Sequence, residues 1–391
     1  MPGPLAGVRI LELARLDGQP DLTAAWACQI LGDMGADIIK VEPPAGDAAR
    51  HAGPFRNRPD MAAQYLIQNR NKRSLSIDIK TTSGRNILLK LAGTADAIVH
   101  TNTASSMAAL GLGYAALKVA NPRIVTCGAP GYGRTGPYAN RASSEETMQA
   151  VSGMTALNAT ALARTPCYTP TLICEKTAAM TIVSAVIAAL FHCHQTGQGQ
   201  EVEVPAFETM AAYFMIEHMW GAAFEPPVAK PGYPGVLSPQ RKLTPTKDGY
   251  ISILTYMHWE TFCRLSGRQE LIDDPRFKTL PDRMKNIDAL YDETARTMAT
   301  RTTKEWLEVF GETSMPITAV NSVADLMDDP HLAATGFWKT LTHPTEGALR
   351  LPAFPVNYSL TPAEIRRTAP GPGEHTAEIL AEAGIHPGEA A

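Results

Sequence analysis

The feature that most limits the fold of this chain is the exchange of short apolar runs with helix-length stretches along its N-terminal third. VRILEL (8–13) reads as a buried strand. A helical stretch from about Leu22 to Met34 follows, and Gly35 suits its C-cap, because glycine takes a left-handed conformation without a steric penalty. ADIIKVE then reads as a second strand. Strand, helix and strand at this spacing form a βαβ unit, which favours a parallel sheet. The pattern repeats: SLSIDI, DAIVH and RIVTCG read as strands, with GRNILLKLAGTA and MAALGLGYAALKVA as helices between them. Five strands in this alternation predict an α/β fold with a doubly wound sheet.

Beyond residue 170 the pattern changes. Lys176 to Thr196 predicts a long apolar helix ended by the glycines of TGQGQ, and EVEVP a strand. A helical region from about Phe207 to Phe224 leads into EPPVAKPGYPGVLSP, whose prolines and glycines mark a linker or an ordered loop. GYISILTY and ITAVNS read as strands of a smaller α+β region that has helices to about Phe310. HLAATGFWKTLTHPTEGALRLPAFPVNY reads as a hairpin-rich return, and GPGEHTAEILAEAGI as a short terminal helix. The expected division is 1–205 as the first part of a large domain, 206–230 as helix and linker, 231–325 as a small α+β domain, and 326–391 as the return to the large domain.

Composition narrows the function classes. With 45% apolar and 19% charged residues, the chain can bury a core and lacks the signature of disorder. A net charge of -4 provides no general basic field for nucleic acid or an anionic membrane. The apolar stretch from Thr177 to Phe191 is shorter than the roughly 20 residues of a membrane span, so a buried helix is expected. The N-terminus lacks a basic start followed by an apolar run, so a signal peptide is not expected. The six cysteines form no CxxC pair, which points to reduced thiols in a cytoplasmic protein without a zinc or redox motif. His192 and His194 lie two apart on a helix and face different ways, a poor metal pair.

Several stretches, in order and over nearly the whole chain, carry a resemblance. They include PLAGVRILEL, LGDMGADIIKVEPPAGDAAR, NRNKRSLSIDIK, GYGRTGPYANR, AALFHCHQTGQGQEVEVP and NSVADLMDDPHLAATGFW. Together they resemble the class III CoA-transferase family, which takes in formyl-CoA transferase, carnitine-CoA transferase and α-methylacyl-CoA racemase. The resemblance implies a large Rossmann-like domain built from both chain ends, a small domain from the middle, and two subunits interlocked as a dimer. It also implies a carboxylate nucleophile, an aspartate in the family, which attacks a donor thioester to give a mixed anhydride and then an enzyme thioester. Backbone amides near that nucleophile would stabilise each oxyanion.

At the nucleophile position, at the start of the long apolar helix, this chain has Glu175. Its extra methylene moves the reacting oxygens by roughly an ångström, a displacement that can cost about 100-fold. Glu175 is read either as the nucleophile or as a first-turn helix acid stabilised by exposed amides. Tyr132 matches a tyrosine placed near the acyl group, or packs beneath its loop. Lys40, with Glu42, matches the strand end IIKVE, where ligands gather at the carboxyl edge of a parallel sheet and a cofactor-binding role is expected, and Arg70, Asn71, Lys72 and Arg73 match the segment beside the CoA nucleotide, whose phosphates favour such cations. For the 70–73 cluster the other reading is a solvated charged turn. The GYPG loop, 232–235, matches either a loop that shields the intermediate or a plain turn.

The chain also departs from the family. ARLDGQPDLTAAW (14–26) lacks the Gly-Pro pair expected after the first strand, and HTNTASS (100–106) replaces a CoA-contacting loop. Ala109 replaces an arginine, and Ser143-Ser144-Glu145 replaces Gly-Tyr-Asp. The racemase branch needs a histidine where Ser144 stands, so racemisation is not expected. Two functions follow. One is a CoA-transferase moving CoA between carboxylic acids, with coenzyme A or acyl-CoA as substrate and no metal. The other is a weak or inactive subunit of a heteromer, paired with an aspartate-bearing paralogue. Homodimer and heterodimer are both expected partners, and nucleic acid and membrane are not.

Overall fold

The computed structural model describes residues 3–162, 164–239 and 241–385. The last six residues of the expected 326–391 segment, and three positions of the 1–205 segment, lie outside the described residues. The described chain separates into two compact units. One comprises the residues up to Met154, Tyr168–Ile216, and those from Leu332 onward; the other comprises Thr155–Cys167 and Glu217–His331. The second unit thus runs from 217 to 331 and takes in a short early segment, where the sequence suggested 231–325.

The first unit is built on a six-stranded sheet, parallel throughout. Its strands are β1 (Arg9–Leu13), β2 (Asp37–Glu42), β3 (Lys72–Ser76), β4 (Ala97–His100), β5 (Val125–Gly128) and β6 (Glu201–Glu203). They lie in the order β3-β2-β1-β4-β5-β6. From β1 the chain builds outward to β3, then crosses back to place β4 on the other side of β1. The reversal makes the carboxyl ends of β1 and β4 a topological switch point, where the outgoing loops diverge and leave a crevice.

Helix α1 (Leu22–Asp33) shows how local chemistry sets these connections. Asp21 caps it, its carboxylate accepting from the Ala24 amide at 3.1 Å. It ends in a Schellman motif. Gly35, at φ +110°, and Ala36 donate their amides to Gly32 and Leu31. The helix packs on the sheet through Ala24, Ala27, Ile30 and Leu31, in one core with Ile10, Ile38 and Val99.

That core also holds the buried face of a 24-residue helix, Ile173–Thr196, through Ala179, Ile182, Val186 and Ala189. The helix begins three residues before the expected Lys176, so Glu175 lies inside its first turn. It is long and apolar enough to cross a membrane by length and composition, whereas the apolar stretch alone fell short. The expected helix over 107–120 is two helices, Ala104–Ala109 and Tyr114–Ala120, broken where Gly111 takes φ +71°.

The second unit has a three-stranded antiparallel sheet of Thr244–Pro245, Tyr250–Ile253 and Ile317–Ala319. Its core is aromatic, with Trp259, Phe262, Phe277, Trp306 and Phe310 buried together. The indole N–H of Trp306 donates to the Met298 carbonyl at 2.7 Å, so the polar end of that buried ring is satisfied.

Candidate active site

At the switch point of the first unit lies a cavity of about 200 Å³. Arg15, Leu16 and Asp17 reach it from the loop after β1, and Thr101, Asn102 and Thr103 from the loop after β4. Asn102 fastens these loops to each other. Its side-chain oxygen accepts from the Leu16 amide at 2.8 Å, and its amide group donates to the Ala14 carbonyl at 3.2 Å. The far wall carries Gly131, Ser143, Ser144, Glu145 and Glu175. Gly131 is needed there by close approach, since a Cβ would stand 2.2 Å from Ser143 Oγ. Three of the departures from the family pattern, 14–26, 100–106 and 143–145, therefore converge on this one cavity.

Glu175 lies in the first turn of the long helix, labelled α3 after α2 (Glu145–Val151). Among the described residues no protein group donates a hydrogen bond to its carboxylate. The amides expected to stabilise it are already engaged. Those of Cys174 and Glu175 donate to the two oxygens of Glu145 at 3.1 and 3.0 Å. Those of Ile173 and Lys176 donate to the carbonyls of Thr171 and Leu172. Glu145 thus caps α3 from a distance. It is itself buried and held by the Gln149 side-chain amide at 2.8 Å. Gln149 also accepts from the Thr169 amide, tying down the segment that leads into α3.

The electrostatics follow from this arrangement. Burial pushes the Glu175 carboxyl up to about 7, helped by the carboxylates of Asp21 and Glu145 and opposed by Arg15. Asp21 is also raised by burial, against the Thr101 hydroxyl and the Ala24 amide that bond it. Arg15 is paired with Asp17. The neighbouring Cys174 thiol is pushed up to about 12, chiefly by burial, so at neutral pH it stays protonated and is a poor nucleophile. Glu175 is thus a cavity carboxylate whose proton is held well above the ordinary glutamate range.

Other residues singled out in the sequence lie elsewhere. Tyr132 is buried against Tyr138 and Phe207, with ring centroids 5.6 and 5.8 Å away, and does not line the cavity. Lys40, Arg70, Asn71, Lys72 and Arg73 do not line it either. The third strand starts two residues before the expected SLSIDI, so Lys72 and Arg73 belong to β3 and not to a turn. All five residues are buried.

Each of the four cations has carboxylate partners. Lys40 contacts Glu12 and Asp47, and Lys72 contacts Glu12, each at 2.6 Å. Arg70 meets Asp33 at 2.6 Å, and Asn71 donates to the same carboxylate at 2.7 Å. Arg73 pairs with Asp37, Glu378 and Glu382. Against burial, which raises it, Lys40 and Lys72 hold Glu12 below the usual carboxylate range. The GYPG turn lies in the second unit, where Tyr233, Pro234 and Gly235 line a larger cavity of about 770 Å³. Among the described residues no three His, Cys, Asp or Glu side chains gather as a metal set.

Sequence reasoning missed Gln149, Asn102 and Asp21, and named Glu145 without a role. The one available signal was an acid four residues before a glutamine at a helix start, which the comparison of 143–145 with Gly-Tyr-Asp registered as a departure.

A family model described as CoA-transferase family III matches residues 5–376. Similar proteins include succinate–glutarate CoA-transferase of Agrobacterium fabrum, 31% identical over 97% of this chain and 95% of its own length. A second is the succinyl-CoA:(R)-benzylsuccinate CoA-transferase subunit BbsE of Thauera aromatica, 31% identical over 92% of this chain and 90% of its own. Among solved structures, a CAIB/BAIF family protein from Brucella suis has a TM-score of 0.82 at 28% identity, covering 98% of this chain and 100% of its own. Rv3272 of Mycobacterium tuberculosis has a TM-score of 0.83 at 26% identity, covering 97% and 99%.

Proposed function

The chain belongs to CoA-transferase family III, and from that premise we propose that it moves CoA between carboxylic acids, with Glu175 as the acyl-bearing nucleophile. The observation that carries the reading is a carboxylate without a protein donor among the described residues, standing in a small cavity at the switch point of a doubly wound sheet. At about 200 Å³ the cavity is smaller than the roughly 300–1,000 Å³ of sites for drug-sized ligands, so it suits the reacting acyl end of an acyl-CoA and not the whole molecule.

In the proposed cycle the ionised Glu175 attacks the donor thioester carbonyl. The C–S bond breaks, CoA leaves as thiolate, and a mixed anhydride remains on Glu175. The thiolate then attacks the glutamyl carbonyl, releasing the donor acid and leaving a glutamyl–CoA thioester. The acceptor carboxylate attacks that thioester, breaking its C–S bond and releasing CoA thiolate to leave a second mixed anhydride, and the thiolate then attacks the acceptor's carbonyl, forming the new acyl-CoA and freeing the Glu175 carboxylate. Covalent relay divides one difficult exchange into steps with lower barriers. The first four amides of α3 are engaged, so donors for the oxyanions must come from elsewhere in the cavity, and Thr103 and Ser143 bring hydroxyls to its lining.

Tyr132 is assigned a supporting role, packing beneath the loop that carries Gly131. Lys40, Arg70, Asn71, Lys72 and Arg73 are kept as candidates for the CoA nucleotide, on the condition that a phosphate displaces a protein carboxylate or amide partner at whichever of them it binds. The interlocked dimer belongs to the same proposal. The second reading, a subunit that works with an aspartate-bearing paralogue, is supported by relatives named as subunits of CoA-transferases.

The test is CoA transfer from an acyl-CoA to a free acid, followed chromatographically in wild type and Glu175→Gln. The expected result is a loss of at least about 1,000-fold in kcat for the variant. Equal rates in the two proteins contradict the assignment.

A further inference from the structure

We propose that Glu145 is the positioning residue of this reaction: through the amides of Cys174 and Glu175 it fixes the first turn of α3, and with it the direction of the Glu175 arm. The proposal rests on the reading of Glu175 as nucleophile and adds a residue that does not itself touch the reacting carbon.

The geometry carries it. A helix start ordinarily offers free amides that favour a nearby anion. Here a second carboxylate takes two of them, one on each oxygen, at 3.1 and 3.0 Å. The residue before the helix, Leu172, provides no side-chain cap, so Glu145 fills that role from α2. Glu145 is only 6% exposed, and the Gln149 amide fixes its rotation. Both positions at which the family resemblance expects aspartate, 145 and 175, carry glutamate in this chain. The nucleophile with the longer arm therefore leaves a helix turn that is held by an acid with a longer arm.

The charge balance around Glu175 is acidic. Asp21 faces it from the cap of α1, Glu145 and Glu146 from α2, and Arg15, itself paired with Asp17, from the β1–α1 loop. Arg141 also lines the cavity and stands over the Tyr138 ring at 3.9 Å. Within that set Glu145 is the carboxylate bonded to the backbone of Glu175 itself. Removing its charge should therefore ease ionisation of Glu175, while the one oxygen a glutamine keeps still holds one of the two helix amides.

Three variants separate direction from charge: Glu145→Gln, Glu145→Asp and Glu145→Ala, with thermal melting and near-UV circular dichroism as folding controls. Glu145→Gln is expected to move the midpoint of kcat/KM against pH downward by about half to one pH unit. Glu145→Ala is expected to lower kcat by about 30-fold or more, with KM for acyl-CoA changed by less than about threefold. Glu145→Asp should fall between Glu145→Ala and wild type in kcat. An unmoved midpoint in a folded Glu145→Gln variant, or a loss in KM in place of kcat, overturns the proposal. The Glu175 carboxyl is also followed directly, by carbon-13 NMR of labelled protein without substrate and assigned by loss of its signal in Glu175→Gln. The same downward shift should appear there. If wild type transfers no CoA but that shift is present, the transferase reading fails and the Glu145 coupling stands; if transfer is present and the shift is absent, the reverse holds.

Discussion

Glu175 has one more methylene than the aspartate that the family resemblance implies there, and its environment in the structure is acidic and buried. Burial and two neighbouring carboxylates push its carboxyl up to about 7. A nucleophile that must be ionised then gives kcat/KM that rises with pH through a midpoint near 7, where an ordinary glutamate would give about 4.5. A pH–rate profile of the purified protein checks this. The sign for stability is opposite. The folded carboxyl holds its proton more tightly than the unfolded one, so its stabilising contribution is full below about pH 4.5 and is lost as pH rises through about 7. Glu175→Gln, which cannot ionise, should therefore gain stability relative to wild type at pH 8 but not at pH 4, by up to about 3 kcal/mol. Melting temperatures at the two pH values test it, and an equal difference at both contradicts it. Glu175→Asp should lower kcat by about 10- to 100-fold, because the arm would stop short in a site arranged for glutamate.

At the scale of elements, the strands and helices that place the cavity were legible because their apolar periodicity is strong. β1, α1 and β2 fall within a residue or two of their expected bounds, and Gly35 ends α1 for the reason its residue type suggests. Periodicity could not show that β3 begins at Lys72, because lysine and arginine read as solvent-facing unless their partners are known. Those partners, Glu12, Asp37, Glu378 and Glu382, lie far away in sequence, and only the parallel register brings Glu12 opposite Lys40. The Glu145 cap was hidden for the same reason, being a contact across 30 residues. Buried pairs of this kind do more harm when broken than they give when formed. Lys72→Met leaves Glu12 one partner short in the sheet interior and should destabilise the chain by about 3–5 kcal/mol, read from urea unfolding. A folded Lys72→Met protein with unchanged stability and a raised KM for acyl-CoA would instead place Lys72 on the nucleotide.

For the molecule as a whole, the order β3-β2-β1-β4-β5-β6 turns a scattered set of residues into one site. Arg15, Asn102, Glu145 and Glu175 span 160 positions, yet all line the same crevice because the chain reverses between β1 and β4. The long helix serves both ends of that arrangement, with its middle in the sheet core and its first turn at the cavity. Whether that cavity works alone or beside a paralogue's reduces to the chemistry of one side chain. The direct measurement is mass spectrometry of the pure protein incubated with an acyl-CoA and trapped with hydroxylamine. The account expects a hydroxamate on Glu175, a mass increase of about 15 Da on its peptide, formed only when acyl-CoA is present. No adduct on Glu175 from the pure chain, with transfer appearing only when an aspartate-bearing paralogue is added, would contradict it.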